Sequence, residues 1–195
     1  ARRATLALVG LVLVAAWAAL DTGAAGVSLP QALGRLVTGA GLTLQEQVVL
    51  WEIRLPRLVT GLCVGAALAV SGAVMQGLFR NPLADPGLVG VGAGAGLGAV
   101  TAIVLGGLLP PALAALAGIY TVPIAAFLGG WAATLILYRV STRAGRTSVA
   151  TMLLAGIALG ALAGAVTGLL VYAADDQQLR DLTFWGLRSL AGASW

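Results

Sequence analysis

The sequence has no histidine, no lysine, a single cysteine (Cys63) and only seven acids among 195 residues. Each shortage removes a class of chemistry. Without histidine, and with one thiol, no zinc site of the usual nitrogen and sulfur ligands assembles. A Ser-His-Asp or Cys-His catalytic set is excluded for the same reason. Without lysine there is no phosphate-loop motif, so the chain has no means of its own to hydrolyse ATP, and no cofactor is expected. The lone Cys63 sits in an apolar run and is expected to be a buried thiol.

What is present is grease and arginine. Apolar residues make up 59% of the chain and charged residues 9%, against about 25% charged in a soluble domain. Mean hydropathy is +0.99, and the 28 glycines are about twice the usual share of ~7%. So few charges cannot cover the exterior of a water-soluble fold, and such an apolar chain is not disordered. All eleven cations are arginines, scattered without interleaved aromatics, which argues against nucleic-acid binding.

Charge-free runs cover residues 4–20, 58–79, 86–138 and 147–174. About 20 apolar residues cross ~30 Å of hydrocarbon, so the third run holds two crossings, divided by Gly106-Gly107 and Pro110-Pro111. The reading is an all-α, polytopic membrane helical bundle of about five transmembrane helices, near 4–20, 57–79, 87–108, 112–138 and 148–173. An external cap occupies 21–56 and an external helix about 176–187. Arg2-Arg3 and Ala16-Trp17-Ala18 also fit a signal peptide, but the run is long for one and four crossings would remain. A cytoplasmic N-terminus puts six arginines inside, among them the dense Arg139, Arg143 and Arg146 loop, and five outside.

Local chemistry fills in the rest. Ser28 is placed to cap a short amphipathic helix over 29–37, and Thr43-Leu44-Gln45-Glu46 fits a capping box. Small residues recur every four positions at Gly61 and Gly65, and at Gly156, Gly160, Gly164 and Gly168, the pattern of close helix packing in lipid. Alternating glycines from Gly90 to Gly98 lower helix propensity and predict a short, partly unwound third span. No acid or base lies inside a span, which argues against an ion-coupled carrier and leaves an intramembrane enzyme without candidates. Arg54 and Arg57 flank Pro56 at the outer mouth of the second span, fit either to anchor lipid phosphates or to receive acidic groups of a partner. Asn81-Pro82 and Asp85-Pro86 make a rigid turn at its inner end.

These residues carry a resemblance. Arg54-Leu55-Pro56-Arg57, the stretch from Gly65 to Gln76, Arg80-Asn81-Pro82-Leu83-Ala84-Asp85-Pro86-Gly87, the stretch from Leu153 to Gly160 and the end from Ser189 to Trp195 resemble permeases of the bacterial iron-chelate (siderophore), haem and cobalamin ABC importers. The resemblance implies a ten-helix permease of the inner membrane, of which this chain would be the N-terminal half. It implies as partners a second permease copy, a cytoplasmic ABC ATPase subunit and a periplasmic or lipid-anchored substrate-binding protein. It implies docking of the binding protein on Arg54 and Arg57. A cytoplasmic gate is implied at Asn81 and Leu83, with a second near Ser148, and a pathway lined by Ser71, Met75 and Gln76. Arg188 departs from the family's usual glycine. The other functional reading, from a different class, is a membrane-embedded binding or scaffold subunit without pumping.

Overall fold

The computed structural model describes residues 2–110, 112, 115, 118–187 and 190–195, without the side chain of Leu88. Arg188 therefore lies outside the described residues. Among them are five helices long and apolar enough to cross a membrane. The chain forms two compact units, residues 1–67 with 189–195, and residues 68–188.

In the first unit, α1 runs Arg2–Asp21 and α2 Leu29–Val37. The start of α2 differs from the sequence expectation. Ser28 occupies the N-cap position but caps nothing with its side chain; the Leu29 N–H donates instead to the Asp21 carboxylate at 2.8 Å, and the Ser28 hydroxyl donates there too. A carboxylate is the stronger acceptor for an orphan helix donor, so the acid eight residues back displaces the serine. Helix α3, Leu44–Gln47, has the expected capping box between Thr43 and Glu46. It passes through a π-helical stretch, Val48–Arg54, into α4, Leu55–Phe79. The continuous helical run from Leu44 is 36 residues long, about 54 Å against ~30 Å of hydrocarbon. Its charged start therefore stands outside the membrane. Cys63 is exposed rather than buried, because a spanning helix turns apolar side chains to lipid as readily as to protein.

The second unit is built around α5, Val91–Leu105, α6, Thr121–Ser141, and α7, Val149–Ala173. Helix α5 is short, but it is a regular α-helix rather than an unwound one. Of its alternating glycines, Gly94 and Gly98 fall four apart on one face, while Gly92 and Gly96 meet nothing within 4 Å. A Cβ on Gly94 would lie 2.6 Å from the Gly129 carbonyl oxygen, and one on Gly98 would collide with the Ala125 carbonyl. Backbone therefore packs on backbone along Gly94 and Gly98 against Gly129 and Ala125, with the Ala133 methyl beside Gly94. The favourable contacts of that seam offset the poor helix propensity of glycine. The 3-10 turn Pro86–Val89 leads into α5 through Gly90, which adopts φ +75° and lies against the Gly156 backbone of α7. Val89, Leu137 and Met152 form a buried cluster at this end, with Met75 and Phe79 against it.

The fourth crossing was expected from residue 112; its described helix begins at the Gly118–Tyr120 turn. Between α6 and α7 the chain makes a two-residue hairpin, β1 (Thr142–Arg143) and β2 (Arg146–Thr147). Ala144 and Gly145 at its tip have φ of 50° and 73°, as a type I′ turn requires. After α7, Asp175 caps α8, Asp176–Gly186, in a second capping box with Gln178. The Gln178 side chain also donates to the Val104 carbonyl at 3.1 Å.

Candidate functional site

Arg54 and Arg57 share a sequence neighbourhood but not an environment. Arg54 is buried, 8% exposed. Its Nη1 donates to the carbonyls of Leu20, Asp21 and Val27, the last two at 3.0 Å. Those oxygens include the unsatisfied end of α1, where a cation is favoured by the helix dipole. Nη2 has no hydrogen-bond partner and lies against Gly23. Arg57 is exposed and donates to the Ala191 carbonyl at 3.0 Å. The pair therefore does not form two forks facing one way: Arg54 holds the loop after α1, while Arg57 keeps most of its donors free for solvent. An open cleft of about 830 Å³ lies beside them, walled by Val12, Ala16, Ala19, Leu58 and Leu62.

Glu46 anchors the cap on the same unit. Its carboxylate accepts the Thr43 N–H at 2.8 Å and the Thr43 hydroxyl at 2.9 Å, with Arg35 at 3.5 Å. The Thr43 backbone N–H first, and its hydroxyl second, hold the Glu46 carboxyl below its ordinary value. Burial pushes the other way, and the Arg35 charge adds a smaller downward pull.

The turn over residues 80–87 is as stiff as its prolines suggest. Helix α4 ends in a Schellman arrangement, with the Asn81 N–H donating to the Gln76 carbonyl and the Arg80 N–H to that of Gly77. The residue in the left-handed position is Arg80, at φ 49°, where glycine is usual; a side chain there costs about 1 kcal/mol. The Asn81 side-chain oxygen accepts the Leu83 N–H at 3.0 Å, and the Asp85 carboxylate accepts the Gly87 N–H at 2.6 Å. These two bonds explain why asparagine and aspartate stand before the prolines. Asn81 is exposed, and Leu83 is 85% exposed. Of the pathway candidates, Ser71 and Gln76 are exposed, whereas Met75 packs on the Val89–Leu137–Met152 cluster. Ser148, near the other expected gate, caps α7 by accepting the Thr151 N–H.

Of the expected packing glycines, Gly61 meets Leu190 and Gly156 meets Gly90. A Cβ on Gly160 would only reach Ala93 at 4.0 Å, and one on Gly65, Gly164 or Gly168 would meet nothing within 4 Å. The tight seam joins Gly94 and Gly98, on the stretch that propensity alone reads as a weak helix, to Gly129 on α6. Its sequence signature was the repeat of small residues four apart on both partners. Helices α5, α6 and α7 also frame an apolar groove of about 720 Å³, lined by Leu97, Thr101, Leu128, Ile136, Leu162 and Val166 among others. Among the described residues no three of His, Cys, Asp and Glu converge on a metal-sized site.

Fold and site together define a polytopic helical membrane protein with a rigid turn at one end of its second span and a capped, arginine-pinned segment at the other. Residues 10–195 match the model of the FecCD transport family, and the chain belongs to that family. It is 50% identical over 144 residues to the hemin transport system permease protein HmuU of Yersinia pestis, covering 74% of this chain and 42% of that protein. It is 44% identical over 155 residues to the cobalamin import system permease protein BtuC of Halobacterium salinarum, covering 80% and 39%. The vitamin B12 import permease BtuC of Klebsiella pneumoniae is 41% identical over 158 residues, covering 80% and 45%. A solved structure of a metal-chelate type ABC transporter in an inward-facing conformation superposes with a TM-score of 0.78 at 31% identity, over 100% of this chain and 56% of that one. The chain thus spans about half the length of the relatives it matches.

Proposed function

We propose that this chain works as part of the transmembrane permease of an ATP-binding-cassette importer that carries a metal chelate, haem or cobalamin across the bacterial inner membrane. The observation that carries the reading is the 50% identity to a hemin permease, supported by a fold match over the whole chain. The permease performs no chemistry on its cargo. It shifts between outward- and inward-open populations, driven by a separate ATPase, and pairs with a second permease copy and a substrate-binding protein. Haem or a related iron chelate is the favoured cargo class, since the hemin permease shares more identity with the chain than the two cobalamin permeases quoted with it.

Roles for single residues follow their environments. Arg57, exposed, receives acidic groups of the binding protein, and Arg54 positions the loop beside it. Asn81 and Leu83 form the inner gate on a turn too stiff to drift. Ser71 and Gln76 are offered to the pathway; Met75 supports the turn from behind.

The test is to reconstitute the full-length permease with its ATPase and add cargo-loaded binding protein. Hydrolysis stimulated by loaded binding protein, with uptake into vesicles, supports the importer. Hydrolysis indifferent to it overturns the importer and leaves a membrane scaffold. In the same assay Arg57→Glu should weaken binding-protein affinity at least tenfold while insertion persists; unchanged affinity would remove the docking role.

A further inference from the structure

Residues 190–195 return to the first unit and lie along the start of α4 through three contacts. The Leu190 side chain comes against Gly61, where a Cβ would stand 3.5 Å from its methyl. The Ala191 carbonyl accepts from Arg57 at 3.0 Å. The Trp195 indole N–H donates to the Trp51 carbonyl at 2.8 Å, with the two ring systems 5.8 Å apart and tilted by 39°. A turn closed by the Ala193 N–H on the Leu190 carbonyl at 3.0 Å joins these contacts.

The Trp51 contact answers a deficit in the backbone. A carbonyl inside an α-helix takes the N–H four residues on, which for Trp51 is that of Leu55. The π-helical stretch Val48–Arg54 sends the Leu55 N–H to the Leu50 carbonyl instead. In that register Trp51 would need the N–H of residue 56, which is proline and has none. The Trp51 carbonyl is therefore left over where the two kinds of helix meet, and a side chain 144 residues away supplies its donor. Water could satisfy that oxygen too, since Trp51 is 56% exposed. What water cannot do is hold residues 190–191 in place. The consequence falls on Arg57. An exposed arginine samples many rotamers, and a contact that selects one before a partner arrives lowers the cost of binding. Ala191 engages one Nη2 donor of Arg57 and leaves the rest of the guanidinium open.

We propose that Trp195 is a positioning residue for the binding-protein contact: by holding the Trp51 carbonyl it keeps the Ala191 carbonyl on Arg57, which presents that guanidinium in one orientation. This rests on the docking role proposed for Arg57.

Two double-mutant cycles test it on the full-length permease in nanodiscs, one read as affinity for cargo-loaded binding protein and one as melting temperature. Trp195→Phe keeps an aromatic ring and removes the donor. It should weaken binding about fivefold, the size of one lost hydrogen bond. With Arg57→Gln already present it should weaken binding no further, because no guanidinium remains to be placed. A general loss of structure would instead lower affinity in both backgrounds. The second cycle addresses the orphaned carbonyl. Pro56→Ala returns an N–H where the π register needs one, so in that background Trp195→Phe should lower the melting temperature by clearly less than it does alone. Equal weakening by Trp195→Phe with and without Arg57→Gln overturns the proposal. So does unchanged affinity in Trp195→Phe where Arg57→Gln weakens binding, and the docking role then stands. If Arg57→Gln itself changes nothing, the docking role falls and takes the proposal with it. Equal melting losses in the two backgrounds of the second cycle overturn the pairing of the indole with an orphaned carbonyl, and the proposal built on it.

Discussion

Gly98 and Gly164 carry the same local message, a small residue repeating every fourth position along an apolar helix, and they meet opposite fates. Gly98 on α5 lies against the Ala125 carbonyl, while Gly164 on α7 faces nothing within 4 Å. The lesson is that a small-residue stripe offers close approach, and whether the offer is taken depends on what stands opposite. The same division runs through the charges and the caps. Arg54 is engaged by three carbonyls, where Arg57, three residues on, is exposed. Thr43 caps its helix where Ser28 leaves the task to Asp21.

The widest gap should appear between the two glycine stripes. Gly98→Leu should cost about 3 kcal/mol or more, since inserted side chains in a filled contact cost 1–3 kcal/mol even where some relaxation is possible. In detergent this reads as aggregation or a large fall in melting temperature. Gly164→Leu with Gly168→Leu should change the stability of this chain by under ~0.5 kcal/mol. A comparable loss in both pairs would erase the contrast.

The arginine pair comes next. Arg54→Gln should cost about 2 kcal/mol, the range for charge-assisted hydrogen bonds to buried acceptors, and expose the segment after Asp21 to proteolysis. Arg57→Gln should leave melting and cleavage within ~0.5 kcal/mol of wild type.

The caps should differ least. Thr43→Ala should cost about 1 kcal/mol, and Ser28→Ala only a few tenths, because Asp21 holds the donor. The Glu46 half of the capping box adds a pH signature. Its carboxyl is lowered in the folded state from an ordinary value of 4.5, so its contribution is complete above that value and drains away as pH falls through the folded one. The melting difference between wild type and Glu46→Gln should accordingly close in acid; a difference that persists there would remove the ionised acid from the cap.

Features written in adjacent residues were legible in the sequence. The Thr43–Glu46 box, the Asn81–Gly87 turn and the spanning helices all follow from chemistry within a few positions. Features that need a distant partner were not. Asp21 outcompetes Ser28 from seven residues away, and Gly94 and Gly98 find Gly129 some thirty residues on, so propensity alone misjudged α5. The inward turn of Arg54 required knowing where the end of α1 lies. The hairpin left a faint trace, Ala144-Gly145 between threonines and arginines, too short for periodicity to register. The π-helical stretch before Arg54 has no sequence mark at all.

That stretch sets a phase. Wherever the backbone bonds reach one residue further than usual, as the Leu55 N–H does to the Leu50 carbonyl, every side chain beyond is rotated relative to an unbroken coil. A helical wheel drawn through residues 44–79 in one piece would thus assign the wrong compass bearing to everything on one side of the bulge. Removing a single residue between Val48 and Arg54 would reset the dial by about 100°, swinging Arg54 off its carbonyls without altering one letter of the span that follows.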